Sequence, residues 1–155
     1  MGLAGMAAWA VAGDDAKPAS GQADPWTPEQ LMMPETLAKQ MAPGGKAPVI
    51  ISVAFPVLYR NRHIETAVFA GPGRDPEGIT ALQAAVKKLP KDAEIVIYCG
   101  CCPMDHCPNL RPAFRVLKEM GFTRIHALNI ATNFATDWVE KGYPAEPPAK
   151  PSSGE

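Results

Sequence analysis

Residues 94–121 read EIVIYCGCCPMDHCPNLRPAFRVLKEMG, and no other stretch limits the possible folds as tightly. Ile95, Val96, Ile97 and Tyr98 form a β-branched and aromatic run, the pattern of a buried strand. Leu110, Phe114, Leu117 and Met120 recur at spacings of 4, 3 and 3, which predicts one apolar helix face, with Gly121 as the stop. Between strand and helix lie Cys99, Cys101, Cys102 and Cys107, all four cysteines of the chain within nine positions. A thiol at the carboxyl end of a strand, facing a helix amino end, sits among backbone N–H groups and the positive end of the helix dipole. Both favour the thiolate. Because the thiolate is the nucleophile and the metal ligand, this loop is where chemistry is expected.

The rest of the composition narrows what that chemistry can be. A chain of 155 residues is long enough for one domain with a substantial core. The net charge is −1 with no basic or acidic block, so no nucleic-acid partner and no membrane surface is implied. No apolar run is long enough for a membrane span. The cysteines do not read as a disulfide framework. Bridges inside nine residues would close tiny loops with little effect on the unfolded chain, and bridging the neighbours Cys101 and Cys102 would strain the bond.

Taken in order, residues 1–25 form a leader-like segment and linker. Residues 1–13 are small and apolar, and Ala10-Val11-Ala12 fits the small-x-small cleavage rule, although the first basic residue is Lys17. A periplasmic or secreted location is expected, with a cytoplasmic one as the alternative. Thr27-Pro28-Glu29-Gln30 reads as a helix start that runs on through Leu31 and Met32, with a second short helix from Pro34. Val49–Val53 reads as the first core strand, Ala54–Arg62 as a connector and Ala67–Phe69 as a second strand. Asp75 caps a helix whose stripe is Ile79, Leu82, Val86 and Leu89. Ile125–Leu128 is a fourth strand, a short helix is expected around Asp137–Lys141, and residues 147–155 are a Pro-rich tail. Strands and helices alternate, and the core strands are continuously apolar. The expected fold class is therefore α/β, a mostly parallel central sheet with helices on both faces, over residues 26–146.

The strand, the Cys99 loop and the helix ending Leu117-Lys118-Glu119-Met120-Gly121-Phe122 resemble the rhodanese-like sulfurtransferases. His63-Ile64-Glu65-Thr66-Ala67 is similar to that family's G-H-I-x-G-A segment. Trp138-Val139-Glu140-Lys141-Gly142-Tyr143-Pro144 is similar to its closing W-x-x-x-G-Y-P. The resemblance covers residues 45–146. It departs from the family at Ser52-Val53-Ala54, where D-V-R is usual, and in a cysteine loop about five residues longer than usual, judged by the distance back from the helix stop.

The resemblance implies sulfur transfer. Cys99 would take a sulfane sulfur as a persulfide and pass it to a thiol or cyanide, with Cys101 and Cys102 as alternative nucleophiles. The partners implied are a small sulfur-containing substrate and a thiol acceptor that can be a protein. No cofactor is implied. Gly100, Cys101, Cys102, Met104, Asn109 and Arg111 are expected to meet substrate, with Cys107 as a resolving or redox thiol. His63 is expected to hold its loop rather than act as a base. Two alternatives belong to other classes. Cys99, Cys101, Cys102, His106 and Cys107 could ligate a soft metal or act as a dithiol switch. The chain could also be a non-catalytic binding module of the same fold. A Cys-loop phosphatase does not fit, since that mechanism needs Arg six residues after the cysteine; Cys107 is followed there by Ala113 and Cys99 by Asp105.

Overall fold

The computed structural model describes residues 23–147. The leader-like segment 1–13, most of the linker after it and the tail from residue 148 lie outside the described residues. The apolar runs become five short parallel strands: β1 (Leu31–Met32), β2 (Val49–Ser52), β4 (Val68–Phe69), β5 (Glu94–Tyr98) and β6 (Arg124–Leu128). They lie side by side in the order β1-β6-β5-β2-β4, so β5 is the central strand. A separate antiparallel pair joins β3 (His63–Ile64) to β7 (Ala145–Glu146).

Alternate residues of each central strand enter different cores, as the two-residue period requires. Ile95 and Ile97 of β5 pack with Ile51 of β2 and Ile125 of β6 against helices α3 (Pro76–Val86) and α4 (Leu110–Glu119). Val96 and Tyr98 face the other way, packing with Ile50 and Leu128 against Leu37 of helix α1 (Pro34–Met41) and Trp138. Burying Ile95, Val96 and Ile97 completely contributes roughly 1.5–3 kcal/mol each before the cost of ordering them. A central strand covered on both faces explains why this run is apolar throughout rather than alternating.

Three local readings change. Thr27 does open a helical turn, and its N–H donates to Gln30 Oε1 at 2.9 Å, but the turn stops at Gln30. Leu31 and Met32 leave it as edge strand β1, paired with Ala127 and Leu128. The cause is Pro34, which drives Met33 to extended dihedrals (φ −75, ψ 144) and leaves too few residues for a helix, while β6 offers an open edge. The connector after β2 contains a short helix, α2 (Pro56–Asn61), started by a proline at its first position. The last helical element is a single π-type turn at Ala135–Val139, earlier than expected, because Trp138 must reach the core and donate its Nε1–H to the Pro144 carbonyl at 2.9 Å.

Candidate active site

β5 ends at Tyr98, and Cys99 follows directly at the carboxyl edge of the sheet, where parallel sheets present their ligand sites. Its side chain is buried, continuing the face of Ile95 and Ile97. The chain then reverses at Gly100, which has φ +78 and whose missing Cβ would lie 2.7 Å from the Phe134 Cβ. Both facts demand glycine here. The turn brings Cys101 back so that its Sγ lies 3.2 Å from Cys99 Sγ, and Cys102 Sγ is 2.9 Å from Cys101 Sγ. After a short 3-10 turn at Met104–His106, Cys107 returns to the cluster. The sulfurs of Cys99, Cys101 and Cys107 all lie within 4.8 Å of one another. All four cysteines are free thiols.

The loop closes at Asn109, which is completely buried just before α4. Its amide Nδ2 donates to Cys99 Sγ at 3.3 Å, and its Oδ1 accepts the Arg74 backbone N–H at 3.2 Å. Asn109 therefore ties the sulfur to the segment leading into α3. With Cys99 ionised, the thiols of Cys101 and Cys107, the Asn109 amide and the Cys101 backbone N–H are its donors. Together they outweigh burial and hold Cys99 down at about 4. Cys101 moves the other way, because it gives its proton to hydrogen bonds with Cys107 and Cys99 and is also desolvated. The hydrogen bond with Cys101 favours a Cys107 thiolate, but the Cys99 bond and burial prevail and raise Cys107 to about 11. Burial also raises Cys102. One thiolate with neutral thiols around it is the arrangement that results.

A cavity of about 420 Å³ opens against Cys99, Gly100 and Cys101. Tyr98 and Phe134, stacked with centroids 5.7 Å apart, line it together with Leu58, Tyr59 and Val139, and Arg62, Asn61 and Asn133 add polar groups. Ser52, which stands where the resembling family has Asp, is buried in its lining, and its Oγ makes no hydrogen bond among the described residues.

Of the residues singled out in the sequence, Cys99, Gly100, Cys101, Cys107 and Asn109 come together. Cys102 sits beside Cys101 at the outer side of the cluster. His106 is more than half exposed and lies 3.6 Å from Asp105, apart from the three converging sulfurs. Met104 is buried in the core behind the loop. Arg111 is buried too. Its Nε and Nη2 donate to Asp24 Oδ1 at 2.9 and 2.7 Å, its Nη1 donates to the carbonyls of Met104 and Cys107 at 3.4 Å each, and Trp26 covers it at 5.4 Å. His63 stacks on Tyr59 at 3.8 Å, and its Nδ1 bonds the Tyr59 carbonyl at 2.9 Å. The cavity walls from α2 and from residues 133–135 escaped the sequence reading. Their residue types carry no chemical signature, and only packing brings them opposite Cys99.

This geometry agrees with the comparisons to known proteins. The family model described as the rhodanese-like domain matches residues 33–131. The chain belongs to the rhodanese-like domain family. Among solved structures, the rhodanese-like domain of an Anabaena sp. protein is 20% identical with a TM-score of 0.57, over 81% of this chain and 86% of that one. A Bacillus halodurans protein is also 20% identical with a TM-score of 0.57, over 75% of each chain. A Helicobacter pylori protein reaches 0.55 at 11% identity, over 82% of this chain and 97% of that one. At these identities the likeness is one of fold. No curated protein matches the chain. As a rhodanese-like domain it carries its cysteine cluster at the mouth of the parallel sheet, and among the described residues no helix is long and apolar enough to cross a membrane.

Proposed function

We propose that this rhodanese-like domain is a sulfurtransferase with Cys99 as nucleophile. The observation that carries the reading is a buried Cys99 sulfur, 3.2 Å from the Cys101 sulfur and 3.3 Å from the Asn109 amide, against a cavity at the carboxyl end of the central strand; these donors favour its thiolate. The Cys99 thiolate attacks the outer sulfur of a sulfane donor such as thiosulfate. A sulfur–sulfur bond forms to Cys99, the donor's own bond breaks, and sulfite leaves with the electron pair. An acceptor thiolate or cyanide then attacks the added sulfur and expels the Cys99 thiolate. The donors that depress the Cys99 pKa also make it a good leaving group in this second step. Gly100 and Cys101 line the substrate's approach, and Asn109 holds the nucleophile. We assign Arg111 to bracing the loop from inside, through Asp24 and the carbonyls of Met104 and Cys107, rather than to the substrate.

A second reading rests on the convergence of three sulfurs. Cys99, Cys101 and Cys107 offer a thiolate set suited to a soft ion, with His106 outside it. One experiment separates the two. Purified protein is incubated anaerobically with thiosulfate and cyanide, thiocyanate is measured, and native mass spectra are recorded alongside. Transfer predicts turnover and a Cys99 persulfide about 32 Da heavier. A stoichiometric metal with no turnover from any donor would replace the enzyme reading.

A further inference from the structure

Sulfur transfer in this loop has a consequence set by distance. Cys101 Sγ is already in van der Waals contact with Cys99 Sγ at 3.2 Å, held there by the left-handed turn at Gly100. Cys99 itself is 3% exposed, so an external thiol has poor access to its own sulfur, whereas Cys101 is half-buried and reachable from solvent. We propose that Cys101 is a resolving thiol that attacks persulfidated Cys99 at its inner sulfur, releases sulfide and leaves a Cys99–Cys101 disulfide. The inference rests on the reading of Cys99 as the sulfur-accepting nucleophile, and adds to it a second outlet for the sulfur.

The step balances without an outside oxidant. Cys101 gives up its S–H proton and forms a bond to Cys99 Sγ. The bond between Cys99 Sγ and the added sulfur breaks, and its electron pair leaves with that sulfur as hydrosulfide, which takes the proton. The two cysteines are oxidised by two electrons together, and the sulfane sulfur is reduced by two. A dithiol reductant then restores both thiols through the exposed side of Cys101. Because the two sulfurs are held together, their effective concentration far exceeds that of a free thiol. Cys102 is closer still to Cys101, but neither carries the sulfane sulfur, so a bridge between them would need a separate oxidant and a strained ring. Cys107 also reaches the cluster, but it is buried, so a bridge to it would leave no sulfur open to the dithiol reductant.

The test uses the full chain, reduced, freed of reductant and loaded anaerobically with thiosulfate in the absence of any acceptor. Sulfide is measured in solution, and mass and peptide mapping are read on the protein. Wild type is expected to release about one sulfide per chain and to end about 2 Da lighter, with the bridge mapped to Cys99 and Cys101. Cys101→Ser keeps a hydroxyl donor beside Cys99 but cannot resolve. It should hold about 32 Da of added sulfur and release at least tenfold less sulfide per persulfide formed. A wild type that keeps its persulfide, or a Cys101→Ser protein that releases sulfide as fast as wild type, would overturn the resolving role and leave sulfur transfer standing. A bridge mapped to Cys107 would do the same. If Cys99 gains no sulfur in any variant and no thiocyanate forms, the sulfurtransferase reading falls first, and the resolving role with it.

Discussion

The cysteine loop has two kinds of residue, and they behave differently. Its ends are seated on secondary structure: Cys99 directly after the last residue of β5, and Asn109 directly before α4, both buried and bonded to each other at 3.3 Å. Its middle, with Cys102, Asp105 and His106, lies toward solvent, and its side chains bond mainly to their own neighbours. The sheet and helix fix the distance between the ends, so the group asked to react has its geometry set by the whole core. Arg111 pins the middle through the carbonyls of Met104 and Cys107, and the added length brings further thiols around the nucleophile.

Changes at the anchored end should have the largest effects. Cys99→Ser removes the nucleophile, since serine oxygen cannot hold a sulfane sulfur. Transfer from thiosulfate to cyanide should fall by on the order of a thousandfold or more, with the circular dichroism spectrum unchanged. Residual turnover near wild type in this variant, lost instead in Cys102→Ser, would move the chemistry to the middle of the loop.

Gly100→Ala tests the hinge between the two regions. It places a Cβ 2.7 Å from Phe134 at a residue with φ +78, so stability in urea should drop by on the order of 2 kcal/mol, and activity should fall with it. An unchanged midpoint would mean that the turn is looser than the structure shows.

Asn109→Ala removes the amide donor to Cys99 and orphans the Arg74 N–H. The expected cost is about 1–3 kcal/mol, and the Cys99 pKa should rise, seen as an upward shift in the pH profile of thiolate absorbance or alkylation. In the wild type that profile should stay flat down to mildly acidic pH and fall only near pH 4. The linkage has a definite sign. The folded Cys99 pKa lies below its unfolded value, so its stabilising contribution is complete above the ordinary thiol pKa. That contribution declines as the pH drops from there and is gone below about 4. A Cys99 profile centred near the ordinary thiol value would break the contrast between the two regions.

His106→Ala should change least. The side chain is more than half exposed and outside the sulfur cluster, so both stability and transfer should stay within about 0.5 kcal/mol of wild type. A large loss of turnover there would show that the middle of the loop meets the substrate directly.

Ile95–Tyr98, Leu82 and Val86 on α3 and the stop at Gly121 are legible as sequence because each obeys a local rule: continuous apolarity, helical spacing, a glycine at positive φ; α3 itself ends at Val86, short of the expected Leu89. These elements, with Cys99 placed at the end of the strand, were enough for the fold class and for locating the chemistry in the loop. Short elements were not legible. Leu31 and Met32 have no strand pattern of their own, and only the open edge of β6 makes them one. Sequence also grouped His106 with the cysteines and Arg111 with the substrate, because proximity along the chain is all it can report. Which thiols meet, which of them carries the charge, and that Arg111 turns inward to Asp24 were decided by tertiary structure. The physical reason is that hydrogen-bond donors and low-dielectric surroundings reach Cys99 from residues 2 to 10 positions away across a folded loop, and the cavity walls come from α2 and residues 133–135. Local periodicity carries no trace of such contacts; only packing of the complete core brings them together.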